Sequence, residues 1–206
     1  MIKKGKIKIA VTGSIGSGKS AFCSYLNEIG IPIINVDNES KKLLETDKEI
    51  KENIIKSFGK ESFVNGKPNK LFIAEKVFSN PQNVQKINSI VHPKVIKKVN
   101  ILAEEILQNN DIVAAEAALI FEANMENLFD YIVLVTASEK IRMDRKTQSD
   151  NLSREQFLKR NENQIPDIEK MKRADFVFEN NDGIDDLKNK VLLLINILKG
   201  LLTTNA

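Results

Sequence analysis

Gly13, Gly18, Lys19 and Ser20 stand in GSIGSGKS, residues 13–20, at the spacing G-x-x-x-x-G-K-[ST]. Glycines at those places let consecutive backbone N–H groups curl around a polyphosphate, and a following helix adds the positive end of its dipole. Lys19 then reaches the β- and γ-phosphates, and the Ser20 hydroxyl holds Mg²⁺ together with waters. The candidate nucleotide contacts are Ser14, Ile15, Gly16, Ser17, Gly18, Lys19, Ser20 and the following Ala21.

Further reactive groups are spread along the chain. Asp37 closes the apolar run IPIINV, where it can take a proton from an attacking hydroxyl or hold a water on the metal. It is equally a favoured N-cap for NESKKLLE. Glu116 lies in DIVAAEAAL and either supports the metal through water or simply faces the loop from its strand. All five arginines lie between residues 142 and 173, although lysine supplies the charge elsewhere. Arg142, Arg145, Arg154 and Arg160 have the forked geometry that binds phosphate oxygens. The alternative for them is a solvated helix face paired with Asp144, Glu155 and Glu162. His92, the single histidine, either touches an acceptor phosphate or hydroxyl, or caps a helix whose first residue is Pro93. Cys23, the single cysteine, excludes an intramolecular disulfide, points to a reducing compartment and reads as a small core residue.

The elements that must position these groups alternate between short apolar runs and helical patterns, the signature of a parallel sheet with crossover helices. Ile7–Thr12 predicts a first strand and AFCSYLNEIG a helix with Phe22, Leu26 and Ile29 on one face. Ile31–Val36, Asp111–Leu119, Asp130–Thr136 and Asp175–Asn180 predict further strands, and Ile184–Leu202 a closing helix. Between them, residues from about 38 to 108 are mostly helical in pattern. Gly59 and a turn at Asn65–Asn69 interrupt them, and Pro81 and Pro93 sit where helices begin. The basic stretch from Ser138 to about Arg173 is also helical. The expected class is α/β: a P-loop NTPase-type parallel sheet flanked by helices, with a helical substrate-binding insertion and an arginine-containing lid. As a single unit of 206 residues, this divides into a core of about 1–37, 109–137 and 174–206, an acceptor-binding insertion of about 38–108, and a lid of about 138–173.

Composition narrows the function. The net charge of +3 comes from scattered lysines without interleaved aromatic residues, which argues against a nucleic-acid partner. No apolar run reaches the ~18 residues of a spanning helix, and MIKKGKIKIAV leaves no room for a signal peptide. The expectation is a cytoplasmic protein without a membrane or obligatory protein partner.

With these residues in view, the chain resembles the dephospho-coenzyme A kinase family from about Ile7 to Gly183. The family's opening T-G-x-I-G-S-G-K-S stands as Thr12–Ser20. Its Asp-x-Asp pair corresponds to Asn35–Asp37, its His-Pro pair to His92–Pro93 and its P-L-L-x-E element to Ala118–Glu122. The lid arginine falls on Arg145, a later arginine and glutamine on Arg160 and Gln164, and A-D-x-V-x-x-N on Ala174–Asn180. The resemblance implies transfer of the ATP γ-phosphoryl group to the ribose 3′-hydroxyl of dephospho-coenzyme A, with Mg²⁺. Asp37 is then the candidate base, Lys19 and Arg145 the other catalytic groups, and His92 with Asp37 faces the acceptor. Asn180 is placed near the adenine. Three positions depart from the family pattern: Asn35 for the first acid, Ala118 for proline and Ser149 for a second lid arginine. The competing readings are a small P-loop kinase acting on a nucleoside monophosphate and an inactive nucleotide-binding module. The first shares the length and arginine-rich stretch; retention of Asp37 beside Lys19 argues against the second.

Overall fold

The computed structural model describes residues 5–204; the outermost bounds of the expected core, residues 1–4 and 205–206, lie outside the described residues. The chain runs β1 (Ile7–Thr12), α1 (Lys19–Glu28), β2 (Ile33–Asn35), α2 (Val36–Thr46), α3 (Lys48–Phe58), β3 (Phe63–Val64), β4 (Lys67–Pro68), α4 (Lys70–Phe78), α5 (Pro81–Ile106) and β5 (Ile112–Glu116). It continues through β6 (Tyr131–Thr136), α6 (Glu139–Asp150), α7 (Arg154–Glu162), α8 (Asp167–Met171), β7 (Phe176–Glu179) and α9 (Ile184–Thr204). Five strands form one parallel sheet in the order β2-β5-β1-β6-β7, with β1 at its centre.

Strands covered on both faces read as unbroken apolar runs rather than alternating ones. β1 and β6 show this: Ile9, Ala10, Val11, Val133, Leu134 and Val135 are all buried. On one face, Ile7, Ile9, Val11, Ile112, Val133 and Val135 meet Phe22, Cys23 and Leu26 of α1 and Leu187, Val191, Leu194 and Leu198 of α9. Phe22 and Phe178 pack with ring centroids 5.5 Å apart. Truncating one such buried residue costs about 2–5 kcal/mol.

The contacts divide the chain into two compact units, Met1–Asn35 with Leu102–Ala206, and Val36–Ile101. The second has its own apolar centre of Ile50, Ile54, Phe58, Ile73 and Val77. Asp47 and Asn69 cap α3 and α4 by accepting the N–H groups of Ile50 and Phe72.

Several expectations require correction. Ile29 does not share the buried face of Phe22 and Leu26, because α1 ends at Glu28 and Ile29 is 44% exposed at its C-cap. The second strand stops at Asn35, and Asp37 therefore lies in the first turn of α2 rather than at a strand end. Acids favour that first turn through the helix dipole, and Asp37 and Glu39 both occupy it. The run 111–119 is strand only to Glu116, and Leu119 is 44% exposed. Pro93 begins no helix, because α5 continues from Pro81 to Ile106 with Pro93 inside it, so His92 is not a cap. The turn near residue 65 joins a two-stranded antiparallel hairpin, β3–β4, in a segment read as helix and turn. Asn65 and Gly66 have φ of 51° and 80°, the positive values of a tight hairpin turn.

Candidate active site

β1 delivers the chain to the loop, and α1 begins at Lys19 with Gly18 as its N-cap and no side chain capping it. The N–H groups of a first helical turn have no intrahelical acceptor, and this concentrates positive potential there. Gly18 has φ 94°, and a Cβ on it would fall 2.1 Å from Asn180 Nδ2, so only glycine fits. A cleft of about 420 Å³ opens beside this turn, lined by Ser14, Gly16–Ser20, Arg145, Lys146, Gln148 and Ser149.

Glu116 ends β5 beside β1 and gathers the polar groups at the loop. Its Oε1 accepts the Ser20 hydroxyl at 2.6 Å and lies 3.8 Å from Lys19 Nζ. Its Oε2 accepts Asn35 Nδ2 at 3.2 Å. The departure at Asn35 thus places an amide donor, rather than a second carboxylate, against Glu116. Burial, reinforced by the charge of Glu116, pushes the Cys23 thiol well above its ordinary range, and the side chain is part of the core.

The arginines separate into different environments. Arg145 donates from Nη2 to the Asn180 carbonyl at 3.0 Å and from Nη1 to the Ser17 carbonyl at 3.5 Å, at the edge of the cleft. Arg142 is buried and structural. It donates to the carbonyls of Ala137 (3.1 Å) and Ile15 (3.2 Å) and to Asn161 Oδ1 (2.7 Å). Arg154 and Arg160 are exposed. Asn180 is buried with its Nδ2 donating to the Ser17 carbonyl at 2.9 Å, which makes it a support of the loop.

Two supports carried no motif signal for the role they fill. Gln164 Oε1 accepts the Ile15 N–H at 2.8 Å, and the Asp167 carboxylate accepts the Ser14 and Thr136 hydroxyls. Asp167 lies in the first turn of the short helix α8, and its partners are 31 and 153 residues away. Glu122 pairs with the fully buried Lys170 at 3.2 Å, and Phe121 is core. Asp37 and His92 belong to the unit Val36–Ile101. There Asp37 is exposed in the first turn of α2, while His92 is half-buried in α5 and burial lowers its pKa below the ordinary value. Among the described residues, no group of three or more His, Cys, Asp and Glu is placed to hold a metal ion. Among the same residues, no helix is long and apolar enough to cross a membrane.

A central strand that feeds a phosphate loop, in a five-stranded parallel sheet flanked by helices, defines a P-loop nucleotide-binding protein. The sequence model of the family described as dephospho-CoA kinase matches residues 7–186. A dephospho-CoA kinase of Bacteroides fragilis is 37% identical over 192 residues, 93% of each chain. Among solved structures, a Thermus thermophilus protein superposes with a TM-score of 0.79 at 33% identity, covering 95% of this chain and 99% of its own. The dephospho-CoA kinase of Campylobacter jejuni superposes with 0.71 at 28% identity, covering 94% and 98%. The chain belongs to the dephospho-CoA kinase family, and its activity is the final step of coenzyme A biosynthesis.

Proposed function

We propose that this chain transfers the γ-phosphoryl group of ATP to the ribose 3′-hydroxyl of dephospho-CoA, with the loop Ser14–Ala21 as the donor site. The observation that carries the reading is the convergence of Lys19, Ser20 and Glu116 at the uncapped start of α1, with Arg145 on the same cleft. Phosphoryl transfer has a loose transition state, so acceleration comes from positioning and charge stabilisation rather than covalent chemistry. Lys19 holds the β- and γ-phosphates, and Arg145 stabilises charge on the transferring group. Asp37 aligns the acceptor hydroxyl and takes its proton. It follows Asn35 by two residues, and the Asn35 amide is itself bound to Glu116. His92 and the helical insertion are assigned to acceptor binding, and the arginine-bearing stretch 138–173 to the lid.

The oxygen donors of Ser20 and Glu116 suit a hard cation that completes its shell with waters and phosphate oxygens. A Mg²⁺ ion held by these two side chains would supply positive charge that offsets the charge of the donor phosphates. The cytoplasm, with a reducing environment for the one cysteine, is the proposed compartment.

Steady-state ADP release tests the reading, with dephospho-CoA offered beside a panel of nucleoside monophosphates and product masses checked. ADP formed only with dephospho-CoA, with one phosphate added to it, is expected. Turnover with a nucleoside monophosphate instead overturns the acceptor. ATP binding without turnover on any acceptor favours a binding module.

A further inference from the structure

The outer turn of the loop, Ser14–Ser17, is enclosed by a closed ring of hydrogen bonds that starts and ends on Thr136, the last residue of β6. The Thr136 hydroxyl donates to Asp167 Oδ2 at 2.7 Å, and Asp167 Oδ1 accepts the Ser14 hydroxyl. The Ser14 carbonyl accepts the Ser17 N–H at 3.1 Å. The Ser17 carbonyl accepts Asn180 Nδ2 at 2.9 Å, and the Asn180 N–H returns to the Thr136 carbonyl at 2.7 Å. Ser14, Ser17, Thr136 and Asn180 are all buried, with exposures of 3%, 1%, 4% and 4%. Gln164 and Arg142 hold the N–H and carbonyl of Ile15 within the same turn.

We infer that Asp167 is a positioning residue for the donor: its carboxylate, shared between Ser14 and Thr136, sets the conformation in which the loop binds ATP. The inference rests on the reading of this loop as the donor-phosphate site. The physical reason is the number of groups that depend on one side chain. Each carboxylate oxygen takes one buried hydroxyl, and Arg142 Nε lies 3.9 Å from Oδ2. Removing the carboxylate leaves two buried hydroxyl donors without an acceptor, and leaving such groups unmade costs more than the bond itself contributes. The affected atoms sit at the start of the phosphate loop and at the end of β6. The loss therefore reads out on ATP. Asp167 touches no reacting atom in this scheme; it acts through Ser14.

The test is steady-state kinetics on Asp167→Ala, Asp167→Asn, Ser14→Ala and the double variant Ser14→Ala/Asp167→Ala, with ATP and dephospho-CoA varied separately. Asp167→Ala raises KM for ATP about tenfold or more, leaves KM for dephospho-CoA unchanged, and lowers kcat less than it raises KM for ATP. Asp167→Asn, which keeps one acceptor oxygen, falls between it and wild type. Ser14→Ala raises KM for ATP about threefold, and the double variant is no worse than Asp167→Ala alone. An unchanged KM for ATP in folded Asp167→Ala overturns the inference. So does an equal loss on both substrates that tracks only the folded fraction. If Asp167→Ala does not fold, Ser14→Ala decides, because it removes a single hydroxyl: a wild-type KM for ATP there also overturns it. Lys19→Ala run in parallel separates the two failures. Normal turnover in Lys19→Ala removes the donor reading and the inference with it. Impaired turnover there, with wild-type ATP kinetics in the Asp167 and Ser14 variants, removes the inference alone.

Discussion

Around the phosphate loop, position is set by polar atoms: Ser14, Ile15 and Ser17 are held by Asp167, Gln164, Arg142 and Asn180, from elements far apart in sequence. In the unit Val36–Ile101, an apolar cluster of Ile50, Ile54, Phe58, Ile73 and Val77 does the holding. Two of its ion pairs, Lys94 with Glu49 and Lys70 with Glu45, are on the surface. Apolar packing is non-directional and tolerates swaps that conserve volume. A buried hydrogen-bond network specifies both distance and angle, and it fails when a single member is lost. The difference teaches where this chain can change. The phosphate loop is held by directional hydrogen bonds, whereas the helical unit is constrained mainly by the volume of its core.

The largest expected effects break the donor side of this comparison. Lys19→Ala and Arg145→Ala are each expected to lower kcat by at least about 100-fold, measured as ADP release at saturating substrates, because in the proposed reading each removes charge opposite the transferring phosphoryl group. A smaller loss falls in the helical unit. Ile54 is fully buried, and Ile54→Ala lowers unfolding free energy by about 2–5 kcal/mol in urea melts followed by circular dichroism. The same variant leaves the Kd for ATP unchanged, which sharpens the contrast between the two regions. The smallest effect concerns His92. Burial lowers its pKa in the folded chain, so below pH 6.5 the unfolded chain binds more protons than the folded one. Stability from this residue is present above that pH and is lost as pH falls toward the lowered folded value. Thermal melts of His92→Gln between pH 7.5 and 5.5 should therefore show a shallower decline than wild type.

The sequence made legible what local spacing controls. β1, the loop and the start of α1 follow from GSIGSGKS and its flanks, and β6 ends at Thr136 as its apolar run does. Errors arose where two local signals competed. Val36 looks like strand, yet the acids that follow it favour a helix start and the chain turns at Asn35. Pro93 looks like a helix start, yet α5 runs through it as one helix. Each hairpin strand of β3 and β4 has only two residues, too few for alternation to register beside the Asn65-Gly66 turn. The supports of the loop were the least visible, because Asp167 meets Ser14 across 153 residues and Gln164 meets Ile15 across 149. Family spacing singled out Gln164, but neither residue carried a signal for the bond it makes. Only the assembled sheet brings those distances to hydrogen-bond length.

In the proposed reading, the loop Ser14–Ala21 holds ATP and Asp37 takes the proton of the acceptor hydroxyl. Titration of Mg-ATP into Asp37→Asn, with turnover measured on the same sample, tests it most directly. The account predicts wild-type ATP affinity and a loss of turnover of about 100-fold or more. Near-normal turnover, or a matching loss of ATP affinity, would contradict it.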